Sequence, residues 1–144
     1  MPEAPGDTPL ALDLLRRLRR ALGAAGLPEL EAWDLLAAAT GWPRKALYGR
    51  LTSPLPQEAL DRAEALLKRR LQGYPLQYLV GEVEFFGLPL RVEEGVLIPR
   101  PETELLIERL LHKIAAEQEI RDDMIDIIDI GTGSGNIIVT LARA

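Results

Sequence analysis

Leu10, Leu14, Leu18 and Leu22 recur every four residues and so share one face of a helix, with Arg16, Arg19 and Arg20 pointing elsewhere. Thr8 is placed to cap that helix with Pro9 at its first position, and Gly23 and Gly26 stop it. A second helix is predicted from Pro28 to about Thr40, ending at Gly41, and a short third piece from Pro43 to Tyr48. The longest helix should start near Pro56 and end before Gly73, with Leu60, Ala63, Leu67 and Leu71 on one side. Residues 1–80 thus read as a small helical bundle.

The pattern changes after Gly81. Val83 to Phe86, a Gly87-Leu88-Pro89 turn and Leu90 to Val92 predict a β-hairpin. Gly95 to Pro101 reads as an extended link, because residues preceding proline avoid helical angles. Helical spacing returns from Thr103 to about Ala116 with Ile107, Leu110, Leu111 and Ile114. Glu117 to Asp123 is polar and predicts a loop. Met124 to Ile130 is a short apolar run, predicted as a strand buried on both faces. A Gly-rich turn from Gly131 to Gly135 and a helix from Asn136 to Ala144 complete the pattern. No partner strand for Met124 to Ile130 is visible in the sequence. From about residue 117 onward the expectation is therefore poor order in an isolated monomer, or capture by a second copy.

Composition narrows the chemistry. Lys plus Arg number 17 and Asp plus Glu 22, a net charge of −5, which disfavours nucleic-acid binding through bulk charge. Cysteine is absent, so disulfides, thiolate catalysis and Cys-based metal sites are excluded. His112 is the only histidine, which leaves no His pair for a metal or a proton relay. No apolar run reaches the ~20 residues of a membrane span, and MPEAPGDTPL has no signal-peptide character, so a cytoplasmic location is expected. Isoleucine is missing from residues 1–97 yet occurs ten times from Ile98 onward. A change from helices to sheet explains part of that break. A join between two sources near residue 112, or strong codon bias, would explain the rest.

The strongest chemical signal is Asp129-Ile130-Gly131-Thr132-Gly133-Ser134-Gly135, after a predicted strand and before a predicted helix. Glycine permits the tight turn and lets a ligand lie against bare backbone, and a helix start leaves N–H groups free. The spacing G-x-G-x-G differs from the dinucleotide pattern G-x-G-x-x-G, and the loop lacks the lysine of a phosphate-binding P-loop. An aspartate at the strand end, two residues before the first glycine, is the form seen in S-adenosylmethionine-dependent methyltransferases. A Gly-rich turn without a ligand is the plain alternative.

Two further segments specify the resemblance. Leu97-Ile98-Pro99-Arg100-Pro101-Glu102-Thr103-Glu104 resembles the segment before the methyltransferase domain in the HemK-like family. Tyr74-Pro75-Leu76-Gln77-Tyr78-Leu79-Val80-Gly81 and Phe85-Phe86-Gly87-Leu88 resemble the end of that family's helical domain and its hairpin. The early helices match by layout alone. The resemblance implies a helical bundle over 1–80 that recognises the substrate protein, and a hairpin and Pro-rich linker over 81–101. From 102 to 144 it implies the incomplete start of an α/β Rossmann-like domain. It implies N5-methylation of the Gly-Gly-Gln glutamine of peptide chain release factors. S-adenosylmethionine would be held by Asp129, Gly131, Thr132, Gly133, Ser134 and Gly135. The family's Asn-Pro-Pro-Tyr substrate clamp cannot be present, because Asn136 is the only asparagine. These residues therefore resemble the family's N-terminal portion, expected to be inactive alone and to contain no catalytic residue. The competing reading is a non-catalytic helical protein-binding module followed by a Rossmann stub.

Other candidates have plainer readings. Arg100, Glu102 and Glu104 are candidates for ordering the cofactor cavity or touching substrate, Arg100 and Glu102 ahead of Glu104. The glutamates also suit a helix N-terminus. Arg16, Arg17, Arg19 and Arg20, and Lys68, Arg69 and Arg70, could meet an acidic partner, but read first as solvated helix faces or a helix C-terminus. His112 reads as an exposed helix residue, Trp33 and Trp42 as core. Phe85 and Phe86 alternate in a strand, one facing inward and the other a candidate for an interdomain groove. Of Asp126 and Asp129, only the latter has a cofactor position.

Overall fold

In the computed structural model, residues 8–121 and 126–143 are described. The chain forms two compact units, Met1–Val80 and Gly81–Ala144.

The first unit is helical: α1 (Ala11–Ala24), α2 (Glu31–Thr40), two 3₁₀ turns (Arg44–Ala46 and Tyr48–Arg50), α3 (Gln57–Leu71) and α4 (Leu76–Val80). α2 packs against α1, α3 and α4. Its Ala32, Leu35, Leu36 and Ala39 are wholly excluded from solvent and recur at i, i+3, i+4 and i+7. α1 contributes Ala11, Leu14, Leu15, Leu18 and Leu22, with Leu47 and Leu55 from the connecting segments. Trp33 and Trp42 pack against this core, half-buried.

Backbone pairing with the segment before α3 sets the start of α1. Leu10 is extended and bridges Pro54, while the Ala11 and Leu12 N–H groups donate to the Ser53 and Leu51 carbonyls. Thr8 and Pro9 therefore do not cap the helix as expected: the Pro9 carbonyl accepts from the Leu55 N–H instead. α2 begins at Glu31 rather than Pro28, behind a turn over residues 28–30. The piece expected from Pro43 to Tyr48 is two short 3₁₀ turns.

α3 buries the expected side except at its C-terminal end. Ala59 and Ala63 are buried, Leu60, Leu66 and Leu67 partly so, and Leu71 is 45% exposed against expectation. The alanines let α3 lie close to α2, and the far end of the contact is polar. There Arg70 forks onto Glu31, with Nε donating to Oε2 at 2.6 Å and Nη2 to Oε1 at 2.9 Å. These side chains are only 15% and 14% exposed. The hydrogen bond to Glu31 is the largest influence holding the Arg70 guanidinium above its ordinary range, partly opposed by burial. Arg70 is therefore charged at every pH at which the protein would be handled, and its contribution to stability is complete below its unfolded-state pKa. Surface pairs join Arg17 to Glu64, Arg19 to Glu29 and Arg44 to Asp34. Exposed pairs of this kind contribute little individually.

The second unit contains β1 (Glu82–Phe85), β2 (Leu88–Arg91), α5 (Pro101–Arg121) and α6 (Asn136–Leu141). The strands pair antiparallel, Glu82 with Arg91 through Phe85 with Leu88. The turn is Phe86-Gly87, both with positive φ (50° and 72°), rather than the expected Gly87-Leu88-Pro89. A two-residue turn of this hand matches the twist of the strands, so Leu88 and Pro89 join β2. Phe86 sits in a conformation costly for a side-chain-bearing residue, and its N–H donates to Glu104 Oε1 of α5 at 3.0 Å. Phe85, Val92, Ile107 and Thr140 are the buried residues of this unit among those whose burial is described.

α5 starts at Pro101, two residues before expectation, with proline in a first turn where its missing N–H costs nothing. It runs to Arg121, so the expected loop from Glu117 is helical through residue 121, and Asp122 and Asp123 lie outside the described residues. The expected strand is also corrected. Met124 and Ile125 lie outside the described residues, and 126–129 adopt no regular structure. Ile128 and Ile130 are 84% and 93% exposed rather than buried. A parallel strand needs neighbours on its edges, and no strand among the described residues pairs with this segment. α6 is shorter than expected, ending at Leu141.

Two outcomes follow from the first unit. Glu31→Gln keeps the shape of the side chain but removes its charge and turns one of the two oxygens that face Arg70 into an N–H donor, and should lower stability by about 2 kcal/mol in denaturant titrations. Residues 1–80 expressed alone should give a helical circular dichroism spectrum and a single cooperative melt. A gradual, coil-like melt would show that the unit needs the rest of the chain.

Candidate functional site

The Gly-rich segment is held by short local bonds. Thr132 Oγ1 donates to the Asp129 carbonyl at 3.0 Å, and the Gly135 N–H donates to the Thr132 carbonyl at 2.9 Å. The Val139 N–H donates to the Gly135 carbonyl at 2.9 Å, which starts α6. Ser134 Oγ donates to Asn136 Oδ1 at 3.3 Å. Thr140 Oγ1 donates to the Asn136 carbonyl at 2.6 Å and is itself buried, which ties the end of α6 to its start.

Gly131, Gly133 and Gly135 all lie in the left-handed region, at φ 78°, 57° and 76°. A Cβ added to Gly131 would meet nothing within 4 Å, and one on Gly133 only the Gly131 carbonyl oxygen at 3.9 Å. Backbone angle, not crowding, therefore reserves these positions for glycine. The space over the loop is open, and Gly131, Thr132, Gly133 and Ser134 are exposed.

Asp129 differs from its neighbours. Its side chain is half-buried, and Oδ2 is shielded from solvent with no hydrogen-bond partner among the described residues. An unsatisfied buried oxygen costs free energy unless a donor reaches it. Asp126, by contrast, is exposed. The segment from Asp126 to Ala142 contains no Lys or Arg, so this loop suits a cationic or neutral polar group better than a phosphate. Among the described residues no cluster of His, Asp and Glu could hold a metal ion.

The other candidates fall in separate places. Glu102 and Glu104 occupy the first turn of α5, and Arg100 and Glu102 are exposed. Of these three, Glu104 has a defined task, accepting from the Phe86 N–H at the hairpin tip. Sequence reasoning ranked it last, because nothing local links residues 86 and 104. Phe86 lies in the turn rather than in a strand, and Phe85 is buried. His112 is exposed on α5. Arg16 approaches Asp13, and Arg17 and Arg19 are ion-paired, as a solvated helix face requires. Arg69 and Arg70 do more than favour a helix C-terminus: one stacks on Tyr74 and the other pairs with Glu31. No helix of the described residues is long and apolar enough to cross a membrane.

Comparison with known proteins agrees with this layout. Residues 13–81 match the PrmC N-terminal domain. A release factor glutamine methyltransferase of Chlorobaculum tepidum is 44% identical over 115 residues, 80% of this chain and 39% of that protein. The enzyme of the same name from Burkholderia pseudomallei is 45% identical over 123 residues, 84% of this chain and 41% of that protein. That of Moorella thermoacetica is 40% identical over 131 residues, 91% and 44% respectively. The chain thus spans about two fifths of the length of these curated relatives. Over this N-terminal portion the chain is thus similar to proteins named release factor glutamine methyltransferases, and residues 13–81 match the PrmC N-terminal domain.

Proposed function

We propose that these residues form the helical domain and the first cofactor-binding segment of an S-adenosylmethionine-dependent methyltransferase. Its substrate is the glutamine of the Gly-Gly-Gln motif of peptide chain release factors, and it works in the cytoplasm. The observation that carries this reading is the buried Oδ2 of Asp129, without a hydrogen-bond partner among the described residues, beside three left-handed glycines. A carboxylate oxygen in that position suits the ammonium of an amino acid, and the bare backbone of Gly131 and Gly133 admits a ligand at close range.

S-adenosylmethionine, when bound, supplies a methyl group made electrophilic by its sulfonium. Asp129, Gly131, Thr132, Gly133, Ser134 and Gly135 are the residues of this chain that would hold it. A glutamine amide nitrogen is a weak nucleophile, because its lone pair is delocalised into the carbonyl. Placing it in line with the methyl group can account for roughly 7–11 kcal/mol of the barrier. Positioning therefore outweighs acid–base chemistry in this reading. In this reading residues 1–80 engage the release factor, and the segment ending at Ile130 becomes the first strand of a Rossmann-like sheet once partner strands adjoin it. No direct contact with nucleic acid is required.

Replacing the matching N-terminal two fifths of the Chlorobaculum tepidum relative with this chain tests the reading. The hybrid should methylate a release factor from labelled S-adenosylmethionine. Gly133→Val in the hybrid, which forces a branched side chain to φ 57°, should abolish cofactor binding while the melt of the helical unit is unchanged. Unaltered cofactor affinity in that variant would remove the loop from the site. The 144 residues alone should transfer no label, and transfer above background would overturn this division of roles.

A further inference from the structure

On α3, Arg62, Ala65, Leu66 and Arg69 recur at i, i+3, i+4 and i+7 and so share a face. With Ala38 of α2 and Leu79 and Val80 of α4, that face lines a cleft of about 310 Å³ within the first unit. Its floor is aliphatic, and a guanidinium stands toward each end of the α3 stripe. Arg62 is fixed by two bonds, Nε donating to the Ala39 carbonyl at 2.8 Å and Nη1 to Glu58 Oε1 at 2.9 Å. Arg69 is held differently. Its guanidinium carbon lies 3.9 Å from the centroid of the Tyr74 ring, and no ion pair to it is found among the described residues. A guanidinium resting on a ring keeps its edge N–H groups available for an acceptor. Arg17, Arg19, Arg44, Arg62 and Arg70, by contrast, each meet a carboxylate of the chain, Arg62 through Nη1 alone.

We propose that this cleft binds an acidic segment of a partner protein, with an aliphatic side chain on the cleft floor and carboxylates at Arg69 and Arg62. The inference is independent of the methyl-transfer reading. The spacing favours a particular pattern. Residues seven apart on a helix lie ~10.5 Å apart along its axis, and a peptide in the polyproline II conformation, with three residues per turn and a rise of ~3.1 Å, returns to the same face after ~9.3 Å. Acidic residues at positions one and four, with leucine or valine between, therefore match the site. The lining offers no free aromatic face on which a base could stack, since Tyr74 carries Arg69, so a peptide is favoured over a nucleic-acid strand.

The test is a titration of the isotope-labelled 144-residue chain, followed by amide chemical shifts, with three probes. Acetyl-Glu-Leu-Leu-Glu-amide should shift residues 65, 66, 79 and 80 saturably. Acetyl-Lys-Leu-Leu-Lys-amide and a short oligouridylate should leave them unmoved. Arg69→Ala should weaken the acidic peptide roughly tenfold. Ala65→Leu, at an exposed position in the cleft, should do the same while retaining both arginines. Thermal melts of both variants accompany the titrations, and if Arg69→Ala loses stability with the Tyr74 contact, Ala65→Leu decides. Absence of saturable shifts with the acidic peptide, equal shifts with the lysine peptide, or unaltered affinity in Ala65→Leu would overturn the proposal. Shifts at these amides with oligouridylate would replace it with a nucleic-acid site.

Discussion

Everything in the helical unit is arranged around a helix that is too apolar to face water. α2 buries Ala32, Leu35, Leu36 and Ala39 completely and touches α1, α3 and α4. Each fully buried leucine contributes about 1.5–3 kcal/mol, and the alanines let neighbouring helices approach closely. A ten-residue helix would be marginal in isolation, so α2 exists because its neighbours cover it. The same neighbours define the cleft between α2, α3 and α4, whose floor is an outer margin of this packing. Glu31, at the start of α2, then fastens the end of α3 through Arg70, so the polar end of the contact is as specific as the apolar one.

The parts legible in the sequence are those whose cause is local. Leu14, Leu18 and Leu22 are buried as their spacing requires, and α2 ends at Gly41 as expected. The three glycines after Asp129 take left-handed angles because the turn itself demands them. The errors have long-range causes. The first turn of α1 is satisfied by the backbone of residues 51 and 53 rather than by Thr8, a pairing that no window of sequence contains. On α3 Ala63 is buried as its spacing requires, but Leu71 is exposed and Ala59, off the leucine spacing, is buried instead.

The candidate site divides along the same line. Its glycine spacing and its aspartate could be read directly, but the strand placed before them could not be realised. Strand formation requires hydrogen-bonding partners, and the described chain offers none to residues 126–129. Glu104 was underrated for a related reason: its value lies in the distant Phe86 N–H, at a turn that falls on Phe86-Gly87 rather than on Gly87-Leu88-Pro89.

Pro89 carries a consequence of the hairpin register. In a hairpin with a two-residue turn, Phe85 and Leu88 exchange hydrogen bonds, so the next pair, Glu84 and Pro89, directs its backbone polar groups outward. On the β2 side a proline thus occupies the position from which a free N–H would otherwise project into solvent. A two-stranded ribbon has two open edges, each a template for strand addition by another chain. Here the β2 edge lacks a donor at Pro89, and the other edge bears the charged Glu84 at the opposing position. Strand addition along β2 is therefore disfavoured at that position, by a proline that the sequence pattern places in the turn.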